Sequence, residues 1–115
     1  MIILEKPSSP RNLVASDPTT ESVTLTWDAP EFSGNTEIVA YCVEIKEGDE
    51  DYKMAKTVDG IENKVTLLTL KPGKAYWARV FAENVVGKCE KPAELSEFFF
   101  TERGDSKFLY LYIMN

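Results

Sequence analysis

Few places in this sequence carry side chains able to do chemistry. Residues 47–51 set Glu47, Asp49, Glu50 and Asp51 around Gly48, which is the composition of a calcium loop. An EF-hand loop needs about twelve residues with oxygen ligands at regular positions and a closing bidentate Glu, and this run lacks that spacing. It reads better as a solvated hairpin tip. Cys42 and Cys89 are the only thiols, and their separation matches no zinc-ligand spacing, so no metal is expected. There is no His, the commonest general base and transition-metal ligand, and there is no nucleophile motif or phosphate-cradling loop. No catalytic residue, cofactor or small-molecule substrate is expected, and the chain reads as not an enzyme.

The remaining chemistry is that of contact. Trp77, Arg79 and Phe81 alternate along one segment, which places a guanidinium between two aromatic rings on one face of a strand, as in a cation–π ladder. Lys and Arg total 13 against 19 Asp and Glu, and the net charge of -6 would repel phosphate backbones and anionic headgroups. Nucleic acid is therefore an unsuitable partner. The apolar run 108–114 falls short of the ~20 residues of a membrane span, so no span is expected. The first four residues meet Glu5, Lys6 and Pro7 at once, so a signal peptide's apolar stretch is missing.

Strands must position these residues. A chain of 115 residues, 43% hydrophobic and 28% charged, fits one globular domain with one core. Pro7 and Pro10 bracket two serines in an extended approach, and Leu13 and Ala15 suggest a short first strand. Residues 22–27 alternate cleanly, with Val23, Leu25 and Trp27 on one face and Ser22, Thr24 and Thr26 on the other. A loop over 28–35 ends in Asn35, a residue that tolerates the left-handed region. Residues 38–45 form a third strand, with Tyr41, Val43 and Ile45 opposite Cys42, Glu44 and Lys46. Residues 52–58 read as an edge strand guarded by Lys53 and Lys56. Residues 64–67 point Val65 and Leu67 inward. After the Pro72-Gly73 turn, Tyr76, Ala78, Val80 and Ala82 share one face of the longest strand. Asn84 and Gly87 end it, and residues 95–102 supply the last strand. There Phe98 and Phe100 face one way and Phe99 the other; pattern alone leaves open which side is inward.

Trp27, Tyr41, the Leu70-x-Pro72-Gly73-x-x-Tyr76 spacing, Asn84 and Gly87 together resemble the fibronectin type III module, an all-β, seven-strand immunoglobulin-like sandwich. The likeness covers residues 7–102, with 1–6 as a linker and 103–115 as a C-terminal tail that is non-native or disordered. Tyr41-Cys-Val-Glu44 and the Ala-Glu-Asn-x-x-Gly element at 82–87 are similar to modules of the titin, twitchin and myosin-binding-protein group. The resemblance implies a core of Trp27, Tyr41, Leu70, Tyr76 and Val80, and a Tyr76 hydroxyl bonded to backbone a few residues upstream. Removing the Trp27 side chain would then cost ~3–5 kcal/mol.

It also implies a non-enzymatic structural and protein-binding role beside neighbouring immunoglobulin and fibronectin modules, in the cytoplasm of muscle or in the cytoskeleton. In the implied sheet order the Tyr76 strand separates the two Cys by ~9–10 Å, beyond disulfide reach, so free thiols and a reducing interior are expected. Two readings of Trp77, Arg79 and Phe81 stay open: shielding by neighbours, or a contact surface for a partner. The alternative to the muscle reading is an extracellular adhesion or receptor module. Its sign is Arg103-Gly104-Asp105-Ser106, which resembles the integrin-binding tripeptide of fibronectin but follows the last strand instead of preceding it; a polar linker turn is the other reading. The 108–114 run is an added edge strand, an aggregation-prone tail or a non-native end, the last being preferred.

Overall fold

The computed structural model describes residues 1–104 and forms two antiparallel sheets packed face to face. One sheet has the order β1 (Arg11–Ser16), β2 (Val23–Asp28), β5 (Lys64–Leu67). The other runs β4 (Lys53–Asp59), β3 (Ala40–Glu47), β6 (Ala75–Glu83), and β6 then pairs with both β7 (Ala93–Glu94) and β8 (Phe99–Phe100). The connections follow the immunoglobulin-like pattern, with β4 at an edge as its lysines suggested. No described residue is helical.

Period-2 burial sets the layers. Val23, Leu25 and Trp27 from β2 meet Tyr41 and Val43 from β3 and Tyr76, Ala78, Val80 and Ala82 from β6, all buried in one core. The Trp27 and Tyr41 rings meet edge to face, 5.3 Å between centroids at 61°. That geometry suits the quadrupoles of both rings.

A corner closes the end of the sandwich where β6 begins. Leu70 is buried there and its amide donates to the Glu21 carbonyl at 2.8 Å. Gly73 takes φ 64°, the left-handed turn that its lack of Cβ permits. The Lys71 amide donates to the Tyr76 hydroxyl at 2.8 Å, five residues along the chain. Thr101, only 3% exposed, completes the corner: its hydroxyl donates to the Lys71 carbonyl at 2.6 Å and accepts from the Lys74 amide at 3.0 Å.

Two strands depart from simple alternation. In β1 a bulge between Arg11 and Val14, with Asn12 at φ 54°, interrupts the register and sends Leu13 inward. In place of one last strand over 95–102 there are two short pieces, β7 ahead of that span and β8 within it. β7 pairs Glu94 with Arg79, and β8 pairs Phe99 with Tyr76, so the intervening chain carries more residues than its partner segment and bows outward. Phe99 faces the core and stacks on Tyr76, 5.7 Å between centroids, while Phe98 and Phe100 are exposed.

Candidate functional site

The outer face of the larger sheet gathers most of the contact chemistry. Its register sets Cys42 opposite Phe81, Glu44 opposite Arg79 and Lys46 opposite Trp77. Arg79 Nε donates to Glu44 Oε1 at 2.7 Å, with both side chains partly withdrawn from water. That charge-assisted bond fixes the guanidinium plane. Tyr52, arriving from the hairpin tip, covers it at 4.0 Å from the ring centroid, and Phe81 lies on its other side at 5.3 Å. Lys46 and Lys88 extend the row at 5.1 Å from Tyr52 and 5.9 Å from Phe81.

Arg79 therefore stacks between Tyr52 and Phe81, where the sequence had suggested Trp77 and Phe81. The Trp77 ring turns the other way and meets Phe98 at 5.7 Å and 62°, and Phe98 meets Phe100 at 5.1 Å and 85°. Glu44 draws Arg79 under Tyr52, which leaves Trp77 free for the outward-bowed Phe98. Trp77 and Phe81 are partly buried, and the exposed anchors are Phe98 at 45% and Phe100 at 60%. Tyr52 escaped the sequence reading because a strand assignment hides a side chain that folds back across the sheet. Its hydroxyl pKa is raised by burial, then by the Glu94 charge. Phe99 was legible in principle, since it shares strand parity with Leu95 and Thr101, both buried.

The two thiols lie on opposite faces of this sheet. Cys42 sits with Phe81 on the outer face and points its Sγ toward Glu83 Oε1 at 3.6 Å. Cys89 lies in the core beside Ala82, with its Sγ 3.2 Å from the Lys91 carbonyl. Both are free and buried, and burial is the leading cause that pushes each thiol pKa up.

The carboxylates of the hairpin tip diverge, Glu47 toward Lys71 at 3.4 Å and Glu50 toward Lys53 at 3.9 Å. A cleft of about 470 Å³ opens between the edges of β4 and β5, lined by Met54, Leu68, Leu70 and Tyr76 with Lys53 and Lys71. Arg103 lies over Gly73 at the corner. Asp105 and Ser106 of the tetrapeptide, and the 108–114 run, lie outside the described residues. Among the described residues no helix is long and apolar enough to cross a membrane.

Comparison with known proteins follows the same lines. The family model described as fibronectin type III domain matches residues 8–98. Titin of Drosophila melanogaster is 43% identical over 82 residues, which is 70% of this chain and 0% of titin's length to the nearest per cent. Human protein sidekick-1 is 36% identical over 107 residues, 90% of this chain and 5% of that protein. The crystal structure of domains A168–A170 from titin superposes with a TM-score of 0.80 at 33% identity, covering 87% of this chain and 34% of that one. This chain thus spans a small part of its relatives, and its two-sheet architecture accords with the matched fold. The chain belongs to the fibronectin type III domain family.

Proposed function

We propose that this chain is a non-enzymatic structural and protein-binding module of a titin- or twitchin-like multi-domain protein of the myofibril or cytoskeleton, and that it meets its partner through the outer face of the larger sheet. The observation that carries this is the aromatic and cationic row on that face. Arg79 is held by Glu44 and Tyr52 and lies near Phe81, while Trp77 meets Phe98, and Phe98 and Phe100 are exposed beside them. Preorganised aromatic and Arg side chains lose little entropy on docking, which is why such groups dominate interface energies. The identity with titin supports the muscle assignment.

Co-sedimentation with washed myofibrils tests it. Retention by the native chain, lost on changing Trp77 and Phe81 to Thr, is expected, with exposed Val14→Ser on the opposite sheet as the control. Because Trp77 and Phe81 are partly buried, Phe100→Ser serves as a second variant that removes the surface contact with Phe98 and leaves the core alone. Full retention by folded variants would remove this face from the reading.

A second reading, an extracellular adhesion or receptor module, is supported by Arg103-Gly104-Asp105-Ser106. Attachment of integrin-bearing vesicles that disappears with Asp105→Ala would favour it over the myofibrillar assignment.

A further inference from the structure

One flank of the sandwich is open. β4 ends the larger sheet, β5 ends the smaller one, and no ladder joins the two edges. The cleft of about 470 Å³ lies between them, beside the Tyr76 corner. Buried Leu70 and Tyr76 and partly buried Ile45 line it from the core, while Met54 of β4 and Leu68 just past β5 are 51% and 67% exposed.

The β5 edge also offers unused hydrogen-bonding groups. In an antiparallel ladder successive residues turn their N–H and C=O alternately toward the partner strand and toward the open side. Trp27 N donates to Asn63 O at 3.1 Å, and the register continues through Leu25 with Val65 and Val23 with Leu67. Val65 and Leu67 therefore bond to β2, which turns the N–H and C=O of Thr66 and Leu68 toward the open edge. Both residues line the cleft, and among the described residues no backbone partner engages Leu68.

The rim is opposite in sign to the chain. Lys46, Lys53, Lys56 and Lys71 line the cleft with Glu47 as the one carboxylate among its lining residues, although the chain carries a net charge of -6. Lys53 and Lys71 meet Glu50 and Glu47 at 3.9 and 3.4 Å, with both ammonium groups well exposed, so water screens these pairs. Among the described residues Lys56 forms no ion pair.

We infer that this cleft is a binding site for an extended acidic peptide segment, whose backbone pairs with Thr66 and Leu68 and whose alternate side chains are apolar. Backbone bonds extend the smaller sheet, the apolar lining receives one face of the added strand, and the lysines select carboxylates on the other. Charge decides the occupant. Joining this edge to the same edge of a second copy would set lysine against lysine, whereas the same lysines attract an acidic strand. None of Trp77, Arg79 and Phe81 lines the cleft, so its occupancy is independent of the contact proposed for the outer face.

NMR titration of the ¹⁵N-labelled chain with two blocked peptides of about seven residues tests this, one alternating Glu with Val and the other Lys with Val. The Glu peptide should shift the Thr66 and Leu68 amides to saturation, slow Leu68 exchange about tenfold and bind more weakly as salt rises. The Lys peptide should leave both amides in place. Lys53→Glu with Lys56→Glu, at two exposed positions, should weaken the Glu peptide about tenfold or more without unfolding the chain. Leu68→Pro removes the free donor and should weaken it likewise; if that variant does not fold, Leu68 exchange in the native chain decides. Equal binding of the two peptides, shifts confined to Trp77 and Phe81, or no saturation would each overturn the inference. Shifts at Thr66 and Leu68 that follow protein concentration without peptide would assign the cleft to a second copy. Leu68 protection without peptide at every dilution would mean that the chain's own residues fill it, and either result would overturn the inference too.

Discussion

Tyr76→Phe isolates one hydrogen bond of the corner with little else changed. The ring stays in the core against Phe99, 5.7 Å away and nearly parallel, so burial and stacking are retained. What is lost is the 2.8 Å bond from the Lys71 amide to the hydroxyl. A typical protein hydrogen bond contributes ~0.5–1.5 kcal/mol net, and a buried donor left alone costs ~1–3 kcal/mol. The bond is only part-buried, so the loss should stay near ~1 kcal/mol. For a domain of this size that is a fall of roughly 4–8 °C in Tm. Thr101 grips the carbonyl of the same residue at 2.6 Å and also accepts from Lys74. Thr101→Val removes both bonds in a buried setting and should cost ~2 kcal/mol.

Because the two side chains hold one Lys71 residue by its donor and its acceptor, the double variant should lose less than the sum, with a coupling of ~0.5–1 kcal/mol. Urea unfolding of the four proteins, with m unchanged across the set, is the assay. A Tyr76→Phe midpoint equal to wild type would refute the corner's role, and strict additivity would refute the shared anchor.

Two further outcomes are expected. The thiol pKa of Cys42 and of Cys89 is raised by burial, as are the hydroxyl pKa values of Tyr41 and Tyr52, so the unfolded chain sheds these protons first as pH rises. The stability that these four groups contribute should therefore be level below about pH 9 and fall above it, and a denaturation series showing a gain above that pH would contradict their burial. Arg79→Met keeps the apolar stem but strips the ion pair with Glu44 and the cation held under Tyr52, for a loss of ~1–2 kcal/mol. Arg79→Lys should recover part of that loss, and thermal melts in low and high salt would show the gap between Arg and Met narrowing as salt screens the pair.

The strands β2, β3, β5 and β6 were readable because each alternates apolar and polar residues over a half-buried sheet. There Val23, Leu25 and Trp27, or Tyr76, Ala78, Val80 and Ala82, declare a face by themselves. Asn35 was likewise legible, and it takes φ 65° where a left-handed residue was expected. The irregular elements were not. The bulge in β1 and the break between β7 and β8 depend on how many residues the partner strand presents, which no local pattern records.

The candidate contact face divides in the same way. Alternation alone placed Trp77, Arg79 and Phe81 on one side of a strand, since side-chain direction follows from backbone geometry with a period of two. Which ring Arg79 lies against depended on Glu44 across the sheet and on Tyr52 folding back from a loop. The pairing of the first residues, expected as a linker, is the furthest case: Glu5, Gly34 and Asn84 come from three distant segments and are joined by hydrogen bonds that carry no periodic signal. The sequence by itself determined the alternating strands and their two faces, because these follow from periodicity along a contiguous stretch, while the sandwich, its core and its Tyr76 corner came with the resemblance to the fibronectin type III module. Only tertiary structure decided the stacking order of the outer face and the docking of the first residues. Those depend on which distant side chains and carbonyls come within bonding distance once the two sheets have closed.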